Sequence, residues 1–406
     1  MCAVLEREFV ASRYVMTLFL LGVALVPWTW FPPFPWLHQH AQWADPVFAC
    51  AAVLWLVERV RKRLSPLPLH APSVLAALYF GCAAGSTLAH GAAETMRAKL
   101  LGIGELCVLL ILTADLTSSP LVAKWFGHVI AVNAIVIGAL AVVGLALYYA
   151  GIHTNLVGSY GAYLVPSSGY ARMQVGMYHP NLLGSYTIFG AAVVAAPRSR
   201  LAPWLRRAAS AALWIAAILS ISRAAIGFAL AALLRAILRR RDRVGRAMAV
   251  GASILAVLAI AVMTRWNVTV DPSHWSVRFV EPTVEGRLLL ILPSLHTVAG
   301  NPLWGCGPDC APALLGGDLW DTHLTWINIA ATLGLPALAA FVGIVVAAWR
   351  TRSRPTDVAM WSGLMGLFID SLASDVEDFR HVWLLLGYSG TRTEPTTSET
   401  VREHAD

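Results

Sequence analysis

The chain has 406 residues, 57% hydrophobic and only 13% charged, where soluble domains carry roughly a quarter charged residues. That deficit argues against a soluble enzyme, a disordered chain or a disulfide-rich secreted module. The net charge is nonetheless +7, from 30 Lys and Arg against 23 Asp and Glu, which raises nucleic acid or anionic lipid as a partner until the charges are placed.

A membrane span needs roughly 20 apolar residues, and about a dozen such blocks follow one another. They lie near 14–31, 43–58, 72–90, 99–117, 125–150, 181–197, 207–221, 223–238, 247–264, 324–349, 357–374 and, shorter, 379–390. The expected fold class is therefore all-α: a polytopic integral membrane protein of about 12 transmembrane helices. The first block follows Glu6, Arg7, Glu8 and Arg13 without a small-residue cleavage site before Pro27, so it reads as a retained signal anchor. Residues 1–264 form an N-terminal set of about nine spans with a loop at 151–180. A long loop covers 265–323, further spans cover 324–390, and 391–406 reads as a disordered tail.

Orientation follows from the cations, all arginine except Lys62, Lys99 and Lys124. Runs at 59–63, 198–207, 239–246 and 350–354 fall in alternate loops, which puts 22 of the 30 cations and both termini on the cytoplasmic side. The excess charge is thus an orientation signal, and no nucleic-acid partner is expected. Eight cations stand on the other side: Arg97, Lys99, Arg172, Arg223, Arg265, Arg278, Arg287 and Arg380. Both long loops, 151–180 and 265–323, are also outer.

Candidate chemistry concentrates there. Arg223 stands at a tight outer turn in Ser222-Arg223-Ala224-Ala225. A snorkelling interfacial arginine would satisfy that position, and so would a bidentate phosphate ligand. Arg287 opens the apolar run 288–292, which ends at Pro293 and reads as a short interfacial helix whose first turn offers amides to an anion. The alternative is an ordinary surface arginine. His323, beside Asp321 where the long loop re-enters the membrane, is placed to act as a general base, although a lone histidine is more often structural. Arg172, His179 and Asn181 close the other long loop, where Asn181 could cap the next helix or the group could bind a donor. Glu105 is the one acid deep in a block and could partner an outer arginine such as Arg223.

Cys306 and Cys310 share one outer loop and could form a local disulfide, while the other cysteines read as small apolar residues. No pattern of His or Cys at ligand spacing indicates a metal; His38-Gln39-His40 sits among Trp28, Trp30, Trp36 and Trp43, which better fits an aromatic belt. Residues 28–44 contain no acid of the kind that holds a divalent cation in metal-dependent membrane glycosyltransferases. Neither a metal nor a cofactor is expected.

Taken in order, several segments resemble the O-antigen ligase and polymerase superfamily of membrane glycosyltransferases. They are Met177-Tyr178-His179-Pro180-Asn181-Leu182-Leu183-Gly184, Ile221-Ser222-Arg223-Ala224-Ala225, Gly286-Arg287-Leu288, Asn301-Pro302-Leu303-Trp304-Gly305-Cys306-Gly307-Pro308, His323, and Ala331-Thr332-Leu333-Gly334-Leu335-Pro336. The resemblance covers about residues 170–350. It implies a GT-C-like membrane fold and metal-independent, inverting transfer of a glycan from undecaprenyl pyrophosphate to an acceptor hydroxyl, such as lipid A-core, on the periplasmic face. It also implies that Arg223 and Arg287 grip the pyrophosphate, that His323 acts as base, and that the inner membrane and its lipid are the setting. The family often has Asn after the loop histidine; here that residue is Leu324, with Asn328 one turn on. A repeat-unit polymerase is the nearest alternative, and protein O-glycosylation shares the chemistry. A lipid-linked glycan flippase or exporter is the alternative of another class.

Overall fold

Local chemistry marks most of the helix starts. Ser12 accepts from the Val15 amide at 3.4 Å to cap the first helix, and Pro72, Pro120 and Pro180 sit in first turns, where a missing N–H costs nothing. The computed structural model describes residues 11–29, 42–65, 68, 70–152, 154, 173–177, 179–220, 222–238, 282–310, 324–350, 358–372 and 374–390. Among the described residues all regular structure is helical. The α-helices are α1 (Arg13–Leu25), α2 (Ala44–Arg61), α3 (Ala71–Ala89), α4 (Glu94–Leu116), α5 (Pro120–Tyr149), α6 (Pro180–Ala195) and α7 (Pro203–Ser220). They continue with α8 (Arg223–Leu238), α9 (Pro282–Gly300), α10 (Thr325–Leu333), α11 (Leu335–Arg350), α12 (Val358–Ser371) and α13 (Arg380–Gly390). The block expected at 247–264 lies outside the described residues, as do 391–406.

Two expectations change. The apolar block 324–349 is two helices, because Gly334 at φ 89° turns the chain between α10 and α11. The helix expected to open at Arg287 begins at Pro282 and runs through Pro293 to Gly300. Arg287 therefore stands in its second turn, past the free amides of the first.

Packing is close around α6, α8 and α12. A Cβ on Gly227 of α8 would stand 2.8 Å from the Gly366 carbonyl oxygen of α12, and one on Gly366 would meet Ile188 of α6 at 2.8 Å. Elsewhere α5 packs on α7, α3 on α11, α4 on α13 and α1 on α2. Aromatic rings fill the centre: Tyr79 lies 5.7 Å from Trp383, and Phe126 stacks on Tyr388 at 5.0 Å.

These pairings gather the starts of α2, α4, α6, α8, α10 and α13 at one end of the bundle. At the far end Arg59, only 3% exposed, pairs with Asp115 at 2.9 Å. The Trp55 indole N–H donates to the same carboxylate at 2.6 Å, and Arg59 Nε donates to the Ser65 carbonyl at 2.7 Å. Arg59, part of a cationic run in the sequence, is thus a buried structural charge. The outward faces are apolar, with Val53 and Val60 on α2, Leu78 on α3, and Val132 and Val143 on α5 all exposed. Two of the described helices, α3 and α5, are long and apolar enough to cross a membrane.

Candidate functional site

The first wall of the site end is the start of α6. His179 caps this helix: its Nδ1 accepts from the Asn181 amide at 3.0 Å. The cap is therefore the histidine, and Asn181 is the capped residue inside the first turn. One turn on, the Ser185 hydroxyl meets His381 Nε2 of α13 at 2.9 Å, both buried.

The second wall is the corner between α7 and α8. The hydroxyls of Ser220 and Ser222 lie 3.0 Å apart, and Arg223 follows as the first residue of α8. Gly184 of α6 admits this corner: a Cβ there would collide with the Ser222 hydroxyl and come within 2.8 Å of Ala224. Met173 N–H donates to the Leu219 carbonyl at 2.9 Å, so the strand of chain leading from Arg172 to His179 lies against the turn that carries Arg223. Arg172 itself is outside the described residues. The chain thus brings the His179–Asn181 segment and the start of α8 to one corner.

The third wall is α10. His323 and Asp321 lie outside the described residues, but the helix they lead into is held firmly. Thr325 Oγ donates to the Ser374 carbonyl at 2.7 Å and accepts from the Val376 amide at 2.9 Å. Asn328 Nδ2 donates to Glu377 Oε1 at 2.7 Å, and the Trp383 indole donates to the Glu377 carbonyl at 2.6 Å. Ser374 Oγ donates to Asp370 Oδ1 at 3.2 Å. A continuous polar strap, 374–378, therefore joins α10 to the end of α12 and the start of α13.

The helix α9, which carries Arg287, packs on α10. The turn after it docks on the end of α10: the Cys306 amide donates to Ala331 O and the Gly307 amide to Thr332 O, both at 2.9 Å. Two segments far apart in sequence, 301–308 and 331–336, are thereby a single unit. Cys306 and Cys310 are disulfide-bonded within it, and the Ser86 hydroxyl of α3 ties it down by donating to the Trp304 carbonyl at 2.5 Å.

Glu105 has a different partner from the one the sequence suggested. It meets Arg380 at 3.4 Å rather than Arg223, and Arg380 also clasps Asp45 with contacts of 2.5 and 2.6 Å. Lys99 pairs with Asp378 beside this cluster. Sequence reasoning also passed over Gln174, Ser185, Asp370, Glu377 and His381. The readable signal for the strap was the acid-dense stretch Asp375-Val376-Glu377-Asp378 between the last two apolar blocks. Burial pushes the Glu377 carboxyl well above the usual carboxylate range, and the neighbouring Asp375 and Asp378 push the same way.

Chemically, this end suits an anion. The helices α6, α8 and α10 all begin here, so their positive dipole ends lie at this end, and Arg223 is the first residue of α8. Among the described residues no group of three or more His, Cys, Asp or Glu gathers to hold a metal ion.

No curated protein matches the chain. Residues 208–342 match the family model described as O-antigen ligase. The matched segment contains Arg223, Arg287 and His323 together, and runs from within α7 into α11. Members of this family are glycosyltransferase-like enzymes associated with bacterial membranes. From residue 208 to residue 342, about a third of its length, the chain is therefore similar to the O-antigen ligase family.

Proposed function

We propose that the protein is a membrane glycosyltransferase of the ligase type, which moves a glycan from undecaprenyl pyrophosphate to a sugar hydroxyl, with lipid A-core as acceptor. The observation that carries this reading is the family match across 208–342, which spans Arg223, Arg287 and His323. The convergence of three helix starts at one end supports it further. In the proposed step the acceptor oxygen attacks the anomeric carbon, the bond from that carbon to the phosphate oxygen breaks, and His323 takes the hydroxyl proton. Arg223 and Arg287 hold the departing pyrophosphate, supplying charge stabilisation of the kind that preorganised donors provide. Arg172, His179, Asn181 and Asp321 are the residues assigned to binding of donor and acceptor.

Membrane placement belongs to the same proposal. The outward apolar faces of α2, α3 and α5 have no partner within the chain among the described residues and suit lipid. About 12 spans, cytoplasmic termini and a site on the periplasmic face of the inner membrane complete the picture.

The test is purified protein in nanodiscs with a lipid-linked donor and lipid A-core. A single transfer with release of carrier pyrophosphate is expected. A ladder of lengthening lipid-linked oligomers would instead mean a polymerase, and no pyrophosphate release would favour transport. His323→Ala should slow transfer about 10²–10⁴-fold, the usual worth of a positioned base. Intact transfer in that variant, with Arg287→Ala inactive, would remove the histidine from the mechanism.

A further inference from the structure

Gln174 lies on the turn that leads from Arg172 to the capped start of α6, and it is 0% exposed. Among the described residues, neither Oε1 nor Nε2 of its amide has a hydrogen-bond partner. Buried polar side chains are almost always bonded, and one left with both its donor and its acceptor unmet calls for a specific explanation. The backbone shares the cost. Met177 N–H closes the turn on the Gln174 carbonyl at 3.0 Å, and Val175 between them adopts φ 51°, a left-handed conformation that is a genuine outlier for a β-branched residue. Close packing holds the turn in place: a Cβ on Gly176 would run into the Trp28 ring, and Met173 is tied to Leu219 just ahead of the Arg223 corner.

We infer that Gln174 is a substrate-binding residue for the junction between the diphosphate and the first sugar of a lipid-linked donor, an inference that rests on the function proposed above. The amide offers N–H donors on Nε2 and an acceptor on Oε1 within a single planar group. A phosphate oxygen meets the first and a sugar hydroxyl meets the second. The isoprenoid tail offers neither, and a bare phosphate leaves the acceptor unmet. Placement agrees with the assignment, because Met173, next to Gln174, bonds the Leu219 carbonyl just ahead of the turn into α8.

The experiment measures binding to the full chain in nanodiscs of two probes: undecaprenyl diphosphate carrying one labelled hexose, and undecaprenyl diphosphate alone. Gln174→Leu keeps the volume and deletes both polar atoms, and Gln174→Met is a second volume match should the leucine variant fail to fold. Losing a hydrogen bond to a charged group predicts about ten- to a hundredfold weaker binding of the sugar-bearing probe, a smaller loss for the bare diphosphate, and a higher unfolding temperature without either. Wild-type affinity for the sugar-bearing probe in a folded Gln174→Leu or Gln174→Met protein would overturn the assignment while leaving the proposed function standing. Failure of the wild-type protein to bind either probe would overturn both.

Discussion

Two regions of the bundle, the Arg59–Asp115 pair at the far end and the strap with Gln174 at the site end, treat buried polarity in opposite ways. At the far end, both carboxylate oxygens of Asp115 are bonded, by Arg59 and by the Trp55 indole, and Arg59 also reaches the Ser65 carbonyl. At the site end, buried atoms are left without partners: Asp370 Oδ2, Glu377 Oε2, Asn328 Oδ1 and the whole amide of Gln174. A closed ion pair of the first kind holds helices together. Unmet groups of the second kind weaken the fold and persist where something else is to be bound or moved. Stability and function are therefore expected to separate along the bundle axis.

The sharpest way to break that comparison is Asp115→Ala. It removes the carboxylate that neutralises the buried Arg59, which should destabilise the fold by about 3–5 kcal/mol, read as loss of folded protein in detergent, while transfer per folded molecule stays at the wild-type level. A variant that folds normally but transfers poorly would mean that the far end also takes part in the reaction.

Glu377→Gln examines the other end through pH. A buried carboxyl whose folded pKa is raised keeps its proton after the unfolded chain, with its carboxyl near 4.3, has lost its own. Stability contributed at low pH is then lost as pH climbs from there towards the raised value, by up to roughly 1.4 kcal/mol per pH unit. The glutamine variant should show a flatter decline in unfolding temperature between pH 5 and pH 7 than the wild type. Equal slopes would mean that Glu377 does not hold its proton.

The smallest effect is expected from Val175→Gly. Glycine adopts φ 51° without steric cost, but the substitution also removes a side chain that is 0% exposed, so strain relief and lost burial should offset each other to within about 1 kcal/mol, and donor binding should persist because Gln174 is unchanged. A loss of several kcal/mol would show that packing of the valine outweighs the strain of the turn.

Much of this architecture was legible in the amino-acid order, and the reasons for the rest are specific. Apolar blocks bounded by arginine and proline located α1 to α8 within a few residues, because each block had polar punctuation on both sides. The break at Gly334 was hidden inside a continuous apolar run, where only the left-handed turn separates α10 from α11. Pro293 suggested a helix end, yet α9 runs through it. The resemblance brought the segments around Arg223 and Arg287 into one family, and the match across 208–342 agrees. What could not be read was pairing at long range. Glu105 finds Arg380, and Asn328 finds Glu377, only once the bundle has closed. A lone Gln174 carries no signal until its burial is known.

The brevity of α10 has a geometric consequence. With 9 residues it rises only about 13 Å, less than half of a hydrocarbon core roughly 30 Å thick. The docked turn 301–310 meets the last turn of α3, where the Trp304 ring lies at Gly85 and Gly307 faces His90, and irregular backbone packed there needs its polar groups covered. The bonds from Cys306 and Gly307 to Ala331 and Thr332, and from the Leu335 amide to the Pro302 carbonyl at 2.8 Å, provide that cover within the chain itself. The segment is thus sealed against the end of α10 and tied to α3 by the Ser86 hydroxyl.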